Sequence, residues 1–450
     1  MIVMKFGGSS VESAAAIGRV ADIVASRLDR RPIVVVSAMG KTTNALLSIA
    51  SAAVNRERER ALSELAVLQA FHRNETEDLD LDNFLDNQFQ ELAELVKGLA
   101  VMGELTPRAT DAISSYGERL SSVIVNAVFE KRGIPSRHID ARTLIVTDNR
   151  HTQAAPLFAE TYERCARTLT PDRVWVMGGF IGATEEGVTS TLGRGGSDYT
   201  AAIVGAGVRA EEIQIWTDVD GMLTCDPRIL PGGHRIKFCS FAEAAELAYF
   251  GAKVLHPATV VPAIERNIPV LILNSRRPNV EGTRIVADAV PCRDVAKAIA
   301  CKRGITLVNI VSTRMLMAHG FLRRIFEVFD RYQTAVDMVA TTEVSVSLTI
   351  DNTAALEKIL PELNEIAEVS VEDNQAIVSL VGDNLRHTPG VAGRLFGALA
   401  PYRIRMVSQG ASLLNISFVI ADADLVPVVG ALHAEFFSDP DPAVFATEAA

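Results

Sequence analysis

Apolar residues follow two rhythms along this chain. Up to about residue 290, short β-branched runs alternate with longer stretches whose apolar positions recur every three or four residues. That alternation predicts an α/β fold with a mainly parallel sheet covered on both faces. The clearest strands are Ile2–Phe6, Ile33–Ser37, Val174–Met177, Ile213–Trp216 and Val270–Asn274. Thr106-Pro107 reads as a cap followed by proline at the first helical position, and the spacing predicts one helix from there to Lys131, stopped by Gly133. Ser240 with Glu243 three residues on is a capping box that opens another helix. Between Asn55 and Ala100 a charged, leucine-spaced stretch predicts extra surface helices with a solvated face and no chemistry.

Beyond about residue 293 the units shorten and repeat. Gly320-Phe321-Leu322-Arg323-Arg324-Ile325-Phe326 precedes Tyr332 at the same interval at which Gly390-Val391-Ala392-Gly393-Arg394-Leu395-Phe396 precedes Tyr402, about 70 residues later. Val346-Ser347-Leu348 matches Ile416-Ser417-Phe418 at the same offset. Self-similarity at fixed spacing means a duplicated unit. Each copy reads strand, helix, strand, strand, helix, strand, a ferredoxin-like βαββαβ. The expected division is therefore a domain over 1–292 and a tandem region over 293–450, with repeats at about 303–372 and 373–440.

Composition narrows the partners. At 450 residues the chain is too long for one ordinary core. No apolar run reaches the ~18 residues of a membrane span, and Ile2-Val3-Met4-Lys5-Phe6 opens as a strand rather than as a signal peptide. The five cysteines form no CxxC pair and no Cys/His ligand spacing, so they read as small buried hydrophobes in a reducing cytoplasm. A net charge of −11 argues against nucleic acid or an anionic membrane as partner. An acidic chain that handles anions must concentrate its cations locally.

Four glycine-rich turns carry such cations. Lys5-Phe6-Gly7-Gly8-Ser9-Ser10 is a strand end followed by glycines and a helix starting near Val11, a setting for a phosphate or simply for a tight turn. Thr191-Leu192-Gly193-Arg194-Gly195-Gly196-Ser197-Asp198 suits a loop that wraps a small anion and starts a helix at Ser197 or Asp198; Arg194 can fork onto a carboxylate. Trp216-Thr217-Asp218-Val219-Asp220-Gly221, continuing to Asp226-Pro227-Arg228, lies just past a strand, where open α/β sheets bind ligands. Its carboxylates serve equally as turn caps or as holders of a nucleotide or metal. In Phe250-Gly251-Ala252-Lys253-Val254-Leu255-His256-Pro257 a lysine stands in apolar company, placed for a buried anion or snorkelling to water. Convergence of Lys5, Arg194, Arg228 and Lys253 would suit phosphoryl transfer, which is mostly positioning and electrostatics.

With these segments, the chain resembles the aspartate kinases of the amino acid kinase superfamily over nearly its whole length. The ordered set is KFGGSS at Lys5, VVVSA at Val34, GEL at Gly103, YGERLS at Tyr116, GFIG at Gly179, TLGRGGSDYTAA at Thr191, WTDVDG at Trp216, DPR at Asp226, FGAKVLHP at Phe250 and SQGAS at Ser408. Ser9 stands where the family more often has threonine, and Leu223 where it commonly has an aromatic. The resemblance implies an amino-acid-kinase three-layer sandwich followed by two ACT domains. It implies transfer of the γ-phosphoryl of MgATP to the β-carboxylate of L-aspartate, the first step of lysine, threonine and methionine biosynthesis. Catalytic roles fall to Lys5, Asp198 and Lys253, with Asp198 organising the lysines and the Mg²⁺ shell. ATP contacts fall to Lys5, Gly7, Gly8, Ser9, Thr217, Asp218, Arg228, Lys253 and Val254. Glu118 would take the aspartate ammonium and Arg194 its α-carboxylate, with Gly195, Ser197 and Thr43 (or Thr42) beside them. No dedicated metal site and no tightly bound cofactor are implied. Because a carboxylate with a pKa of about 3.9 is already ionised at neutral pH, the nucleophile needs no general base, which fits the lack of a recognisable triad.

For the repeat region the resemblance implies an end-product effector held by Met315, His319, Gly320, Phe321, Leu322, Val336, Asp337, Thr342 and Glu343. Asp337 and Glu343 favour lysine over threonine, although both acids would look the same at a solvated strand edge. Pairing through ACT domains implies a homodimer or homotetramer. The alternatives are another amino acid kinase (glutamate, N-acetylglutamate, a carbamate or UMP as acceptor), an inactive amino-acid-sensing protein, or one module of a bifunctional chain; the sequence reads as a monofunctional, cytoplasmic enzyme.

Overall fold

A computed structural model describes residues 1–250, 257–288, 291–293, 295–312, 319–410 and 412–446. They fall into two compact units, residues 1–221 with 257–288, and residues 222–250 with 291–446. The expected boundary at 292 thus misses an interruption: residues 222–250 pack with the C-terminal unit.

The first unit runs β1 (Ile2–Phe6), α1 (Ala14–Ala25), β2 (Pro32–Val36), α2 (Thr42–Val54), α3 (Arg58–Glu75), α4 (Asp82–Met102), α5 (Pro107–Ser114), α6 (Tyr116–Lys131), β3 (Ser136–His138), β4 (Val146–Thr147), α7 (Phe158–Thr168), β5 (Val174–Gly178), β6 (Ile181–Thr184), β7 (Thr189–Thr191), α8 (Gly196–Val208) and β8 (Glu212–Thr217). After β9 (Phe238–Ser240) and α9 (Phe241–Tyr249), which belong to the second unit, it resumes with α10 (Val261–Glu265), β10 (Val270–Asn274) and β11 (Thr283–Val286). Its main sheet has the order β3-β5-β2-β1-β8-β10-β11, parallel except for β11. A small sheet, β4-β6-β7, stands beside it. Strands β1, β2 and β5 are buried throughout, as helices on both faces require.

Side chains alternate across a strand, and that period aims the chemistry. Ile2, Met4 and Phe6 enter the core under α1 and α6 with Val34, Val36, Ile17 and Ile124. Val3 and Lys5 therefore face the opposite layer, where α8 lies. The expected single helix over 107–131 is two: α5 ends at Ser114 and α6 begins at Tyr116. Ser114 Oγ donates to the Asp111 carbonyl and Ser115 Oγ to that of Ala112, back-bonding that bends a helix at this point. Helices α3 and α4 form as expected but are more than surface: Leu65, Leu85, Phe89, Leu92 and Val96 build a satellite core with α2.

The second unit centres on β12 (Ala296–Val311), α11 (Phe321–Arg331), β13 (Val339–Thr341), β14 (Ser345–Ile350), α12 (Leu356–Asn364), β15 (Glu368–Gly382), α13 (Val391–Ala398), β16 (Met406–Gln409), β17 (Asn415–Ala421) and α14 (Leu425–Phe437). The duplicated pattern is present, with the sheet order β13-β14-β12-β15-β17-β16. Two long strands serve both modules, and each breaks register midway, between Lys302 and Leu307 on β12. The first module uses the C-terminal half of β12 and the N-terminal half of β15. The second starts in the rest of β15, and its fourth strand position is filled by residues 296–302 rather than by a strand after α14. After α14 the chain instead bridges Phe445 to Ile236. The expected repeat at 373–440 is therefore incomplete by itself.

Candidate active site

The first site segment is shaped by close backbone approach. Gly7 N–H donates to the Trp216 carbonyl at 3.1 Å, and Gly40 N–H donates to that of Gly8 at 3.1 Å. A Cβ on Gly8 would meet the Ala38 and Gly40 carbonyl oxygens at 3.1 and 3.0 Å, tighter than side chains ordinarily pack, so a larger residue would have to push this backbone apart. A short 3₁₀ turn, Gly8–Ser10, follows, and α1 starts only at Ala14, capped by Ser13; the expected helix start near Val11 is too early. Ser10 Oγ pairs with Ser275 Oγ at 2.8 Å, tying this turn to the end of β10.

The second segment begins α8 at Gly196, with Gly195 as N-cap at φ 72°. The preceding GFIG motif explains why the loop sits so close. A Cβ on Gly179 would lie 2.6 Å from that of Ser197, and one on Gly196 would lie 2.6 Å from the Phe180 ring. Glycine at both positions lets the loop press onto the sheet edge and places Asp198 in the first turn of α8. Its Oδ1 meets Lys5 Nζ at 2.7 Å, with both side chains largely buried.

Glu118, in the first turn of α6, reaches the same place. Its Oε1 accepts the Ala38 N–H at 3.1 Å, while Oε2 is buried with no partner among the described residues. Burial pushes this carboxyl from 4.5 up to about 8, opposed by the Ala38 N–H and by the Lys5 charge. Ser121 Oγ donates to the Ser37 carbonyl at 2.8 Å and holds α6 against the end of β2.

These groups line one cavity of roughly 270 Å³, made by Lys5, Ser37, Thr43, Glu118, Phe180, Gly193, Gly195, Gly196, Ser197 and Asp198. Of the two threonines left open by the sequence, Thr43 lines it; Thr42 Oγ1 is spent on the Met39 carbonyl at 2.7 Å. The cavity can take a small zwitterion: a carboxylate acceptor for its ammonium, backbone and hydroxyl donors at a helix N-terminus for its carboxylate, and a lysine in its lining.

Other expected site residues lie elsewhere. Arg194 is exposed on the glycine loop. Gly7, Gly8 and Ser9 are half-buried at the end of β1, and Thr217 ends β8 with Asp218 just after it, where the Thr217 hydroxyl donates to Asp218 Oδ1 at 3.2 Å. Arg228 belongs to the second unit, exposed and forked onto Asp226 at 2.6 Å. Lys253 and Val254 lie outside the described residues, as does Met315. Among the described residues, the four-cation cradle is therefore represented in the cavity lining by Lys5 alone. Ser37 and Phe180 were missed by the sequence reading; the strand ends VVVS and GGF are the signals that point to them.

In the second unit, Asp337 Oδ1 holds Lys302 Nζ at 2.7 Å, and its Oδ2 is unpartnered among the described residues. Burial raises the Asp337 carboxyl, against the pull of Lys302. Phe321 and Val336 pack in or against the module core, whereas His319, Gly320, Leu322, Thr342 and Glu343 are exposed. All five cysteines are free thiols.

The amino acid kinase family matches residues 1–274, and the ACT domain family matches residues 378–436. The chain is 40% identical to aspartokinase 1, chloroplastic, of Arabidopsis thaliana, over 98% of this chain and 80% of that protein. It is 37% identical to lysine-sensitive aspartokinase 3 of Escherichia coli, over 97% and 99%. The crystal structure of Escherichia coli aspartokinase III in complex with aspartate and ADP superposes with a TM-score of 0.82 at 35% identity, covering 97% of this chain and 100% of that one.

Proposed function

The chain belongs to the aspartokinases, ATP-dependent kinases of aspartate with C-terminal ACT domains, and from that premise we propose which groups of the cavity carry the transfer. The γ-phosphoryl of MgATP passes to the β-carboxylate of L-aspartate, giving 4-phospho-L-aspartate. The single observation that carries this reading is the buried Glu118 carboxyl, with one oxygen held by Ala38 and the other unpartnered, in one cavity with the Lys5–Asp198 pair. An entering ammonium completes the partners of Glu118 and restores its charge.

Arg194, Gly195, Ser197 and Thr43 receive the α-carboxylate. Lys5 lies between the nucleophile and the phosphates, held by Asp198, which also faces the Mg²⁺ that arrives with ATP. Gly7, Gly8 and Ser9 present the backbone to the phosphates, Thr217, Asp218 and Arg228 serve the nucleotide, and Lys253 with Val254 supplies the second cation. Two anions must meet, so the site provides cations and N–H donors rather than a base.

The finer reading includes feedback by lysine in preference to threonine. Asp337 already engages an ammonium, that of Lys302, so a free lysine side chain suits the same carboxyl. Helix α9 is tied into the second unit by Lys297, whose Nζ lies 2.8 Å from Glu243, and by Ser412 and Asn415 on Glu246. In sequence α9 runs directly toward Lys253, which gives an effector a covalent route to the catalytic lysine. Assembly is a homodimer or homotetramer through the ACT modules, and the product feeds lysine, threonine and methionine synthesis in the cytoplasm. Purified protein with MgATP, hydroxylamine and a panel of acids tests the substrate: hydroxamate should form with L-aspartate. Formation with glutamate, N-acetylglutamate or carbamate instead would overturn it.

A further inference from the structure

One buried carboxyl group outside the cavity has a pattern of partners that bears on the cavity itself. Asp111, in α5, is wholly buried. Three donors converge on it: Thr191 Oγ1 to Oδ1 at 2.5 Å, the Thr152 N–H to Oδ1 and Oδ2 at 3.0 and 3.1 Å, and His151 Nδ1 at 2.7 Å from Oδ2. No lysine or arginine pairs with it among the described ion pairs; His151 is its only ionisable partner there.

The partners lie on two segments that enclose the glycine loop. Thr191 ends β7, two residues before Gly193. The Ala154 N–H donates to the Thr191 carbonyl at 2.9 Å, joining residues 151–154 to that strand. A Cβ on Gly193 would stand 3.2 Å from the Thr152 carbonyl oxygen, so the loop turns directly against this segment. Thr152 itself sits at φ 70°, a left-handed backbone that a β-branched residue adopts only when its surroundings impose it; its N–H bond to Asp111 is such a constraint. On its other side, Asp111 precedes the Ser114–Ser115 bend that turns α5 into α6, and its own carbonyl accepts from Ser115 N–H at 3.0 Å. The Glu118 half of the cavity and the Gly193–Ser197 half are thereby fastened through one side chain.

Resting on the aspartate kinase reading above, we propose that Asp111 is a positioning residue for the amino acid pocket: with His151, Thr152 and Thr191 it sets the distance between Glu118 and the glycine loop, and so the affinity for the acceptor amino acid. It is not among the residues that line the cavity. The nucleotide segments at β1 and β8 lie outside this network, so the effect should fall on one substrate only.

The test is steady-state kinetics of the full-length protein with both substrates varied, for Asp111→Ala, Asp111→Asn and Thr191→Val. Asp111→Ala should raise KM for aspartate at least tenfold, leave KM for ATP within about twofold and lower kcat less than threefold. Asp111→Asn should recover most of that loss, because an amide oxygen still accepts from Thr152 and Thr191 while its nitrogen can donate to His151. Thr191→Val, which removes one donor with little change of shape, should raise KM for aspartate about threefold and serves if Asp111→Ala does not fold. Unchanged KM for aspartate in a folded variant, or equal rises in both KM values, overturns the proposal. Wild-type protein without aspartate-dependent ATP turnover overturns the functional reading, and this inference with it.

Discussion

In the proposed reading Lys5 and Glu118 divide the work of the cavity, and each makes a different prediction. Lys5 is placed by the period of β1 and held by Asp198 at 2.7 Å, on the face of the strand opposite the apolar cluster of Met4 and Phe6. Lys5→Ala should cut kcat by a factor of about 10² to 10³, the size typical of losing one electrostatic group aimed at transferring charge. Its thermal midpoint should fall as well, though less than for the fully buried Lys297–Glu243 pair, because Asp198 loses its cation in a largely buried position. Glu118 predicts a pH dependence. Its carboxyl is raised to about 8, so below that pH the pocket carries a proton that must leave before the ammonium can pair. KM for aspartate should therefore fall about tenfold per pH unit as pH rises toward 8 and then level off. In Glu118→Gln the KM should be high and nearly flat over the same range. A KM for wild-type enzyme that is flat from pH 6.5 to 8 would contradict the burial argument. Lys5, Ser197 and Asp198 were legible as candidates because glycines at strand ends announce where backbone crowds a ligand, whereas Glu118 was reached only through the family resemblance of YGERLS. Asp111 was not, since its partners are 40 and 80 residues away and no spacing rule links an aspartate to such distant donors.

Elements reveal what local pattern can and cannot encode. The capping box at Ser240 was readable, and Glu243 does close it. The same Glu243 also meets Lys297 at 2.8 Å with both side chains within 2% of full burial, a long-range pairing with no local signature. Removing one partner leaves a buried charge, so Lys297→Met should destabilise the second unit by roughly 3–5 kcal/mol, and Glu243→Gln by less because it keeps the cap. Chemical denaturation would show it, and unchanged midpoints would contradict it. The two βαββαβ copies were legible as a repeat, but the strand shared between them was not. Residues 296–302 alternate just as a first strand of the first module would, and only their pairing with 377–382 assigns them to the second. A fragment spanning 373–446 should accordingly stay unfolded by circular dichroism, whereas 291–446 should fold. Cooperative melting of the shorter piece would refute the shared-strand topology.

At the scale of the whole molecule, an acidic chain handles two acidic substrates by keeping its useful cations few and held. Net charge is −11, yet the cavity presents Lys5 braced by Asp198 and a Glu118 carboxyl that burial keeps protonated near neutrality. The proposed lysine feedback would follow the same economy in the second unit, where Asp337 engages Lys302. Lysine at millimolar concentration should inhibit turnover and raise the thermal midpoint, with threonine weaker on both counts. If neither amino acid moves either quantity, the lysine reading fails. The most direct test of the central claim is a crystal structure with L-aspartate and ADP bound. The predicted result places the aspartate ammonium about 3 Å from Glu118 Oε2, with Lys5 Nζ between the aspartate β-carboxylate and the phosphates. Aspartate bound away from Glu118, or Lys5 turned from both ligands, would contradict it.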